Sequence, residues 1–254
     1  MKKIAILLCF VVAVSNSSFG QAVSENDSII KDTVKNTRFN YKQLIIPSLL
    51  VGYGVIGIES DQLKGLNTQI RDEVKEDIDR KITIDDFSQW APAASVFALD
   101  AFGVESKNSL RDRSVILATS YLIMSGTVLG LKSITKIERP DGSSRNSFPS
   151  GHTATAFAGA EFLWQEYKDK SIWYGIAGYA VATGTGIFRI YNNRHWLTDV
   201  AAGAGIGILS TKIAYWINPY VTEKLFGKEK KNSTSLIAPT YDGKQFGISF
   251  IKTF

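Results

Sequence analysis

From residue 88 onward the chain repeats one pattern: long apolar stretches rich in small residues, joined by short polar segments. The stretches fall at about 88 to 104, 114 to 131, 152 to 167, 171 to 189 and 196 to 217, lengths that suit helices and exceed ordinary strands. Gly203, Ala204, Gly205 and Gly207 would let helices approach closely, as tight bundles do in water and in membranes alike. Leu44 to Ile58 is also apolar but is broken by Pro47, Gly52, Gly54 and Gly57, which fits a buried or interfacial helix as well as a span. Residues 59 to 89 break the pattern with nine acids against five bases, a net charge of −4. There, Ile70, Val74, Ile78 and Ile82 recur at helical spacing, predicting an amphipathic helix whose charges form a solvated face.

The two ends differ from this middle. Lys2 and Lys3, an apolar run from Ile4 to Val14, and small residues at Ser18 and Gly20 predict a signal peptide over residues 1–20, leaving Gln21 first in the mature chain. Its removal would take Cys9, the only cysteine, so no disulfide or thiol chemistry is expected. Residues 21–43 are polar and aperiodic, a flexible lead-in; 221–233 read as a basic linker carrying Lys224, Lys228, Lys230 and Lys231. In 234–254, Asp242-Gly243 lies between two β-prone runs, and Phe246, Ile248, Phe250 and Phe254 alternate onto one face, which predicts a β-hairpin tail that packs on this or another protein. The expected fold class is all-α: a bundle of about six helices over 44–220, membrane-embedded, with a short C-terminal β-hairpin. A soluble bundle is the competing form, since its glycine-interrupted helices also allow it.

Composition narrows the function classes. At 254 residues and 44% hydrophobic the chain can bury one substantial core, and 21% charged residues argue against intrinsic disorder. The net charge of +5 is spread among acids, with no aromatic-interleaved basic stripe, so no nucleic-acid partner is expected. An anionic substrate accounts for the surplus better.

The candidate chemistry is concentrated. Both histidines of the chain, His152 and His195, fall in one series with Lys132, Arg139-Pro140, Pro149-Ser150-Gly151, Arg189 and Asp199. A phosphate ester carries oxygens that must be neutralised before a nucleophile reaches phosphorus, and Lys132, Arg139 and Arg189 supply three cations without a metal or cofactor. Lys132 and Arg139 are two helical turns apart, so a helix closed by Pro140 would put both on one face. Ser150 reads as the cap of a helix whose free N–H groups bind phosphate, with Gly151 admitting the anion and His152 beside it. His195 and Asp199, four apart, would share one helix face, the carboxylate fixing the imidazole tautomer and leaving its other nitrogen free to attack.

These residues together resemble the type 2 phosphatidic acid phosphatase superfamily, which also holds bacterial class A acid phosphatases and vanadium haloperoxidases. Its KxxxxxxRP, PSGH and SRxxxxxHxxxD motifs are matched by Lys132 to Pro140, Pro149 to His152 and Arg189 to Asp199, within about residues 88 to 217. Phe188 stands where the family usually has serine, which removes one hydrogen bond to phosphate. The resemblance implies that His195 attacks phosphorus to give a phosphohistidine, oriented by Asp199, and that His152 protonates the leaving alcohol and later helps activate water. It implies that Lys132, Arg139, Ser150, Gly151 and Arg189 hold the phosphate oxygens. The expected substrate is an envelope lipid phosphate or pyrophosphate: phosphatidate, phosphatidylglycerophosphate, an isoprenyl pyrophosphate or lipid A. A soluble periplasmic acid phosphatase and a non-catalytic assembly partner docking through 234–254 are the alternatives.

Topology bears on location. The Lys132 to Pro149 and Arg189 to His195 segments must lie on one side, because the helices between them run out and back. If Leu44 to Ile58 lies in the interface, the site faces the periplasm and the basic segment after Trp216 faces inward, as the positive-inside rule prefers. If that stretch spans, the site is cytoplasmic. The first arrangement, an inner-membrane enzyme open to the periplasm or a periplasmic one, is the expectation, although it strands the hairpin in the cytoplasm.

Overall fold

The computed structural model describes residues 41–76 and 83–227 and the backbone of two strands at 235–241 and 246–252. The expected signal peptide, the lead-in through residue 40, Ile78, Ile82 and the Asp242-Gly243 turn lie outside the described residues.

A short 3₁₀ turn leads into α1 (Ile45–Glu59), followed by α2 (Asp61–Glu76), the one-turn α3 (Ile84–Ser88), α4 (Ala91–Ala101), α5 (Leu110–Thr135), α6 (Gly151–Tyr167), α7 (Ile172–Tyr191) and α8 (Leu197–Phe226). Among the described residues this part is all-α, as expected, with eight α-helices. The charged segment contributes two of them, and the stretch expected from residue 88 begins as α3 and restarts at Ala91. α8 continues through Pro219 to Phe226, so the start of the segment expected as a basic linker is helical. Strand β1 (Ser235–Tyr241) pairs antiparallel with β2 (Phe246–Lys252), Tyr241 opposite Phe246.

Local signals set the ends that matter. Ser109 caps α5 by accepting from the Asp112 N–H at 3.2 Å, and the helix stops where Lys136 turns left-handed at φ 48°. At the start of α8, the Asp199 carboxylate reaches back to the Trp196 N–H at 2.9 Å, satisfying a donor that a helix start leaves free.

α6 is the central element and packs against α4, α5, α7 and α8. Ala154, Ala156, Ala158, Ala160 and Phe162 are fully buried along it, and so are Glu161 and Glu166, so nearly all its faces are covered, as the core helix of a bundle requires. Glycine brings α8 onto it: a Cβ on Gly203 would stand 2.5 Å from the Ser150 carbonyl oxygen, and one on Gly207 would strike the Ala154 carbonyl. Further along, Val96, Ile116, Phe162, Leu163, Tyr167 and Ala214 form one apolar cluster across four helices. The Lys212 ammonium donates to Glu161 at 2.6 Å inside the bundle, each charge buried only because the other is there.

Three helical segments, Tyr41–Glu59, Leu110–Thr135 and Leu197–Phe226, are long and apolar enough to cross a membrane. The first two carry their apolar side chains outward: Leu122 and Ile134 of α5 are 75% and 76% exposed, and Ile46 and Leu49 of α1 are exposed too. Such a flank is stable only against lipid or another apolar surface.

Candidate active site

The three motif segments meet at one end of the bundle, where α5 and α7 finish and α6 and α8 begin. Lys132 lies in the last turn of α5, Ser150 caps α6 with Gly151 and His152 in its first turn, Arg189 is in the last turn of α7, and Asp199 is in the first turn of α8.

Lys132 and Arg139 do not share a helix. α5 ends at Thr135, and Arg139 stands in the loop that follows, its N–H bonded to the Ser144 carbonyl at 3.0 Å. The two cations converge instead on Asn146: the Lys132 ammonium donates to its carbonyl oxygen, and Arg139 Nε to its side-chain oxygen at 2.9 Å. Burial first, then the guanidiniums of Arg189 and Arg194, hold Arg139 below its usual range. Positive groups crowded this way are relieved by an anion.

His195 also differs from its expected setting. It precedes α8 by two residues, beyond a turn in which Asn193 takes φ 56°, rather than sharing a helix face with Asp199. Its Nδ1 lies 3.6 Å from Asp199 Oδ2, an ion-pair separation longer than a hydrogen bond. Ser147 sits beside both, its hydroxyl donating to the same Asp199 oxygen at 2.5 Å and lying 3.5 Å from His195 Nδ1. Burial pushes the His195 imidazole down to about 4, the nearby Asp199 notwithstanding. The ring is therefore neutral near pH 7, with Nε2 on the side away from Asp199.

The start of α6 is tied to the start of α8, the Ser150 N–H donating to the Asp199 carbonyl at 3.0 Å. Ser150 occupies the cap position, but its hydroxyl pairs with the Thr153 hydroxyl at 2.8 Å instead of a backbone N–H. Phe188 packs against Tyr191 in a T-shaped ring contact, 6.0 Å between centroids, and brings no hydroxyl where the family's serine would.

α3 enters the site, and the sequence did not indicate it. Asp85, read as part of a solvated face, is buried; Arg189 NH1 donates to one of its oxygens at 2.5 Å and Asn192 Nδ2 to the other at 3.0 Å. Asp86 accepts at 2.9 Å from His152 Nε2 when that nitrogen is protonated. Asp85, Asp86 and His152 offer ligand atoms within 4.8 Å of one another, but the Arg189 guanidinium on Asp85 already supplies the balancing positive charge. Arg189 Nε is buried without a hydrogen-bond partner among the described residues. Asp199 also lines a cavity of about 250 Å³, together with Lys64, Asn67, Glu138 and Trp196.

The chain is similar to several known proteins. The curated lipid A 1-phosphatase of Porphyromonas gingivalis is 37% identical over 171 residues, covering 64% of this chain and 38% of that protein. The bacitracin transport permease protein BcrC of Bacillus licheniformis is 39% identical over 74 residues, 29% of this chain and 34% of that one. The chain thus spans less than two fifths of the length of either relative. Among solved structures, LpxE of Aquifex aeolicus aligns with TM-score 0.45 at 23% identity, over 59% of this chain and 94% of that one. The PAP2 type phosphatidylglycerolphosphate phosphatase of Bacillus subtilis aligns with TM-score 0.44 at 19% identity, over 75% and 100%. Residues 113–223, which hold all three motifs, match the PAP2 superfamily model.

Proposed function

We propose that the protein is a metal-independent phosphatase of envelope lipid phosphates, working through a phosphohistidine on His195. The observation that carries this is the gathering of both histidines and three cations at one end of a helical bundle with apolar flanks.

Lys132, Arg139 and Arg189, with the N–H groups at Ser150 and Gly151, hold the phosphate oxygens and spread the charge that builds around phosphorus. Neutral His195 attacks through Nε2; the N–P bond forms as the bond to the leaving oxygen breaks, and His152 gives that oxygen a proton. Asp199 stabilises the positive charge that appears on His195, drawing in from 3.6 Å as it does so. Water, deprotonated by His152, then attacks phosphorus and frees both phosphate and His195.

The apolar flanks of α1 and α5 favour a membrane-embedded enzyme and a lipid substrate, and we assign it to the inner membrane with its site toward the periplasm. The relative named lipid A 1-phosphatase makes lipid A 1-phosphate the first substrate to try. The test is phosphate release in detergent across lipid A, phosphatidate, phosphatidylglycerophosphate and an isoprenyl pyrophosphate, with His195→Ala as the blank. Release by the wild type alone, with acid-labile label trapped only on protein carrying His195, is the expected result. Equal release by His195→Ala, or label persisting in it, overturns the assignment of the nucleophile.

A further inference from the structure

We propose that Asp86 is a positioning residue for the proposed reaction, holding His152 by one ring nitrogen so that the other faces the leaving oxygen.

Three observations carry this. The Asp86 carboxylate lies 2.9 Å from His152 Nε2, so that nitrogen is committed to an acceptor and Nδ1 is left for substrate. Asp86 is aimed by a short helix that is itself pinned: Asp85 is clamped by Arg189 and Asn192, the Ser88 hydroxyl meets that of Thr185 at 2.8 Å, and Gln89 Nε2 donates to the Asp86 carbonyl at 2.9 Å. The pair is also open where the buried pair is closed, with 53% of the Asp86 side chain and 30% of the His152 side chain exposed, against 2% for each of His195 and Asp199. Each histidine thus has its own carboxylate, one pair shielded for attack and one facing the entering ester.

The step balances simply. Protonated His152 passes the Nδ1 proton to the departing alkoxide as the P–O bond breaks, and keeps the Nε2 proton in its hydrogen bond to Asp86. The carboxylate is the counter-charge to the imidazolium before transfer and the anchor of the correct tautomer after it.

This inference rests on the phosphatase reading, and the choice of leaving group separates the two. An alkyl alcohol needs a proton to depart, whereas p-nitrophenolate leaves as a stable anion. We would compare wild type, D86N and D86E on p-nitrophenyl phosphate and on the alkyl phosphate the wild type turns over best. For D86N we expect kcat on the alkyl ester to fall about 10- to 100-fold, with p-nitrophenyl phosphate changed less than about threefold, and D86E to restore much of the loss. A merely structural role lowers both substrates together, and that result overturns the proposal. So does faster turnover by D86N, which would make Asp86 an occupant that phosphate must displace. Should D86N fail to fold, Asp86→Ser is read by the same rule: loss confined to the alkyl ester supports the proposal, and parallel loss or no loss on the two esters overturns it. Absence of phosphate release by the wild type from either ester refutes the phosphatase reading itself.

Discussion

The buried imidazole of His195 should make this protein sensitive to acid. His195 is 2% exposed, and burial lowers its pKa from 6.5 to about 4. Between those values the unfolded imidazole binds a proton that the folded one refuses, so the unfolded state gains as pH falls. The stabilisation is therefore present in full above pH 6.5 and is lost by the time pH drops through about 4. At about 1.4 kcal/mol for each pH unit, the difference amounts to about 3 kcal/mol, or roughly 6 to 12 °C in Tm for a chain of this size. The perturbation is His195→Gln, which keeps a polar side chain of similar size and cannot titrate. Both proteins would be melted in detergent from pH 7.5 to pH 3.5. Wild type should lose about 3 kcal/mol more than the variant across that range, with the extra loss concentrated below pH 6.5. Parallel curves for the two proteins would refute the reasoning, since they would mean that His195 is hydrated and titrates alike folded and unfolded.

Other perturbations separate chemistry from packing. Asp199→Asn should lower kcat by up to about 10⁴-fold while the melting transition survives, because it removes the charge facing His195 at nearly constant volume; a loss below tenfold would exclude Asp199 as its partner. Gly203→Val must push against the Ser150 carbonyl, 2.5 Å from the new Cβ, and should cost about 1–3 kcal/mol and much of the activity. Gly184→Ala, which meets nothing within 4 Å, is the control and should leave Tm within a few degrees. Ser147→Ala strips a hydrogen bond from a buried carboxylate and should cost about 1.5–3 kcal/mol by denaturant titration. Carbonate washing should leave the protein in the membrane pellet; its release into the supernatant would contradict a membrane-embedded bundle.

The parts legible in the sequence were those that depend on short-range spacing. Apolar runs longer than a strand gave α6 and α7 nearly to their ends, α5 to within four residues at each end and the start of α8, which runs nine residues past its expected end, and the three motifs named residues that do meet at one end of the bundle. What failed was geometry set by distant contacts. Lys132 and Arg139 fit one helix face by spacing, yet no glycine or proline marks the break at Lys136. That left-handed residue is held by pairings across the loop, such as Ser147 N–H to the Ile137 carbonyl at 2.9 Å. His195 and Asp199 fit a helical repeat, but the chain uses Asp199 to start the helix, which leaves His195 outside it. Asp85 and Asp86 were two of nine acids in a charged segment, and only the fold shows one of them buried on Arg189. Asn146 and Ser147 lie beside Pro149 with no periodicity to mark them, so their roles in joining Lys132 to Arg139 and Ser147 to Asp199 had no local signal.

All the site groups come from one end of the helices, and none from the middle. In a bilayer, such a bundle can reach only the phosphates of a single leaflet. For the proposed lipid phosphatase, the working concentration of substrate would then be set by how many head groups face that side and how fast others are carried across, and lipid translocation would control turnover as much as the proposed chemistry at His195.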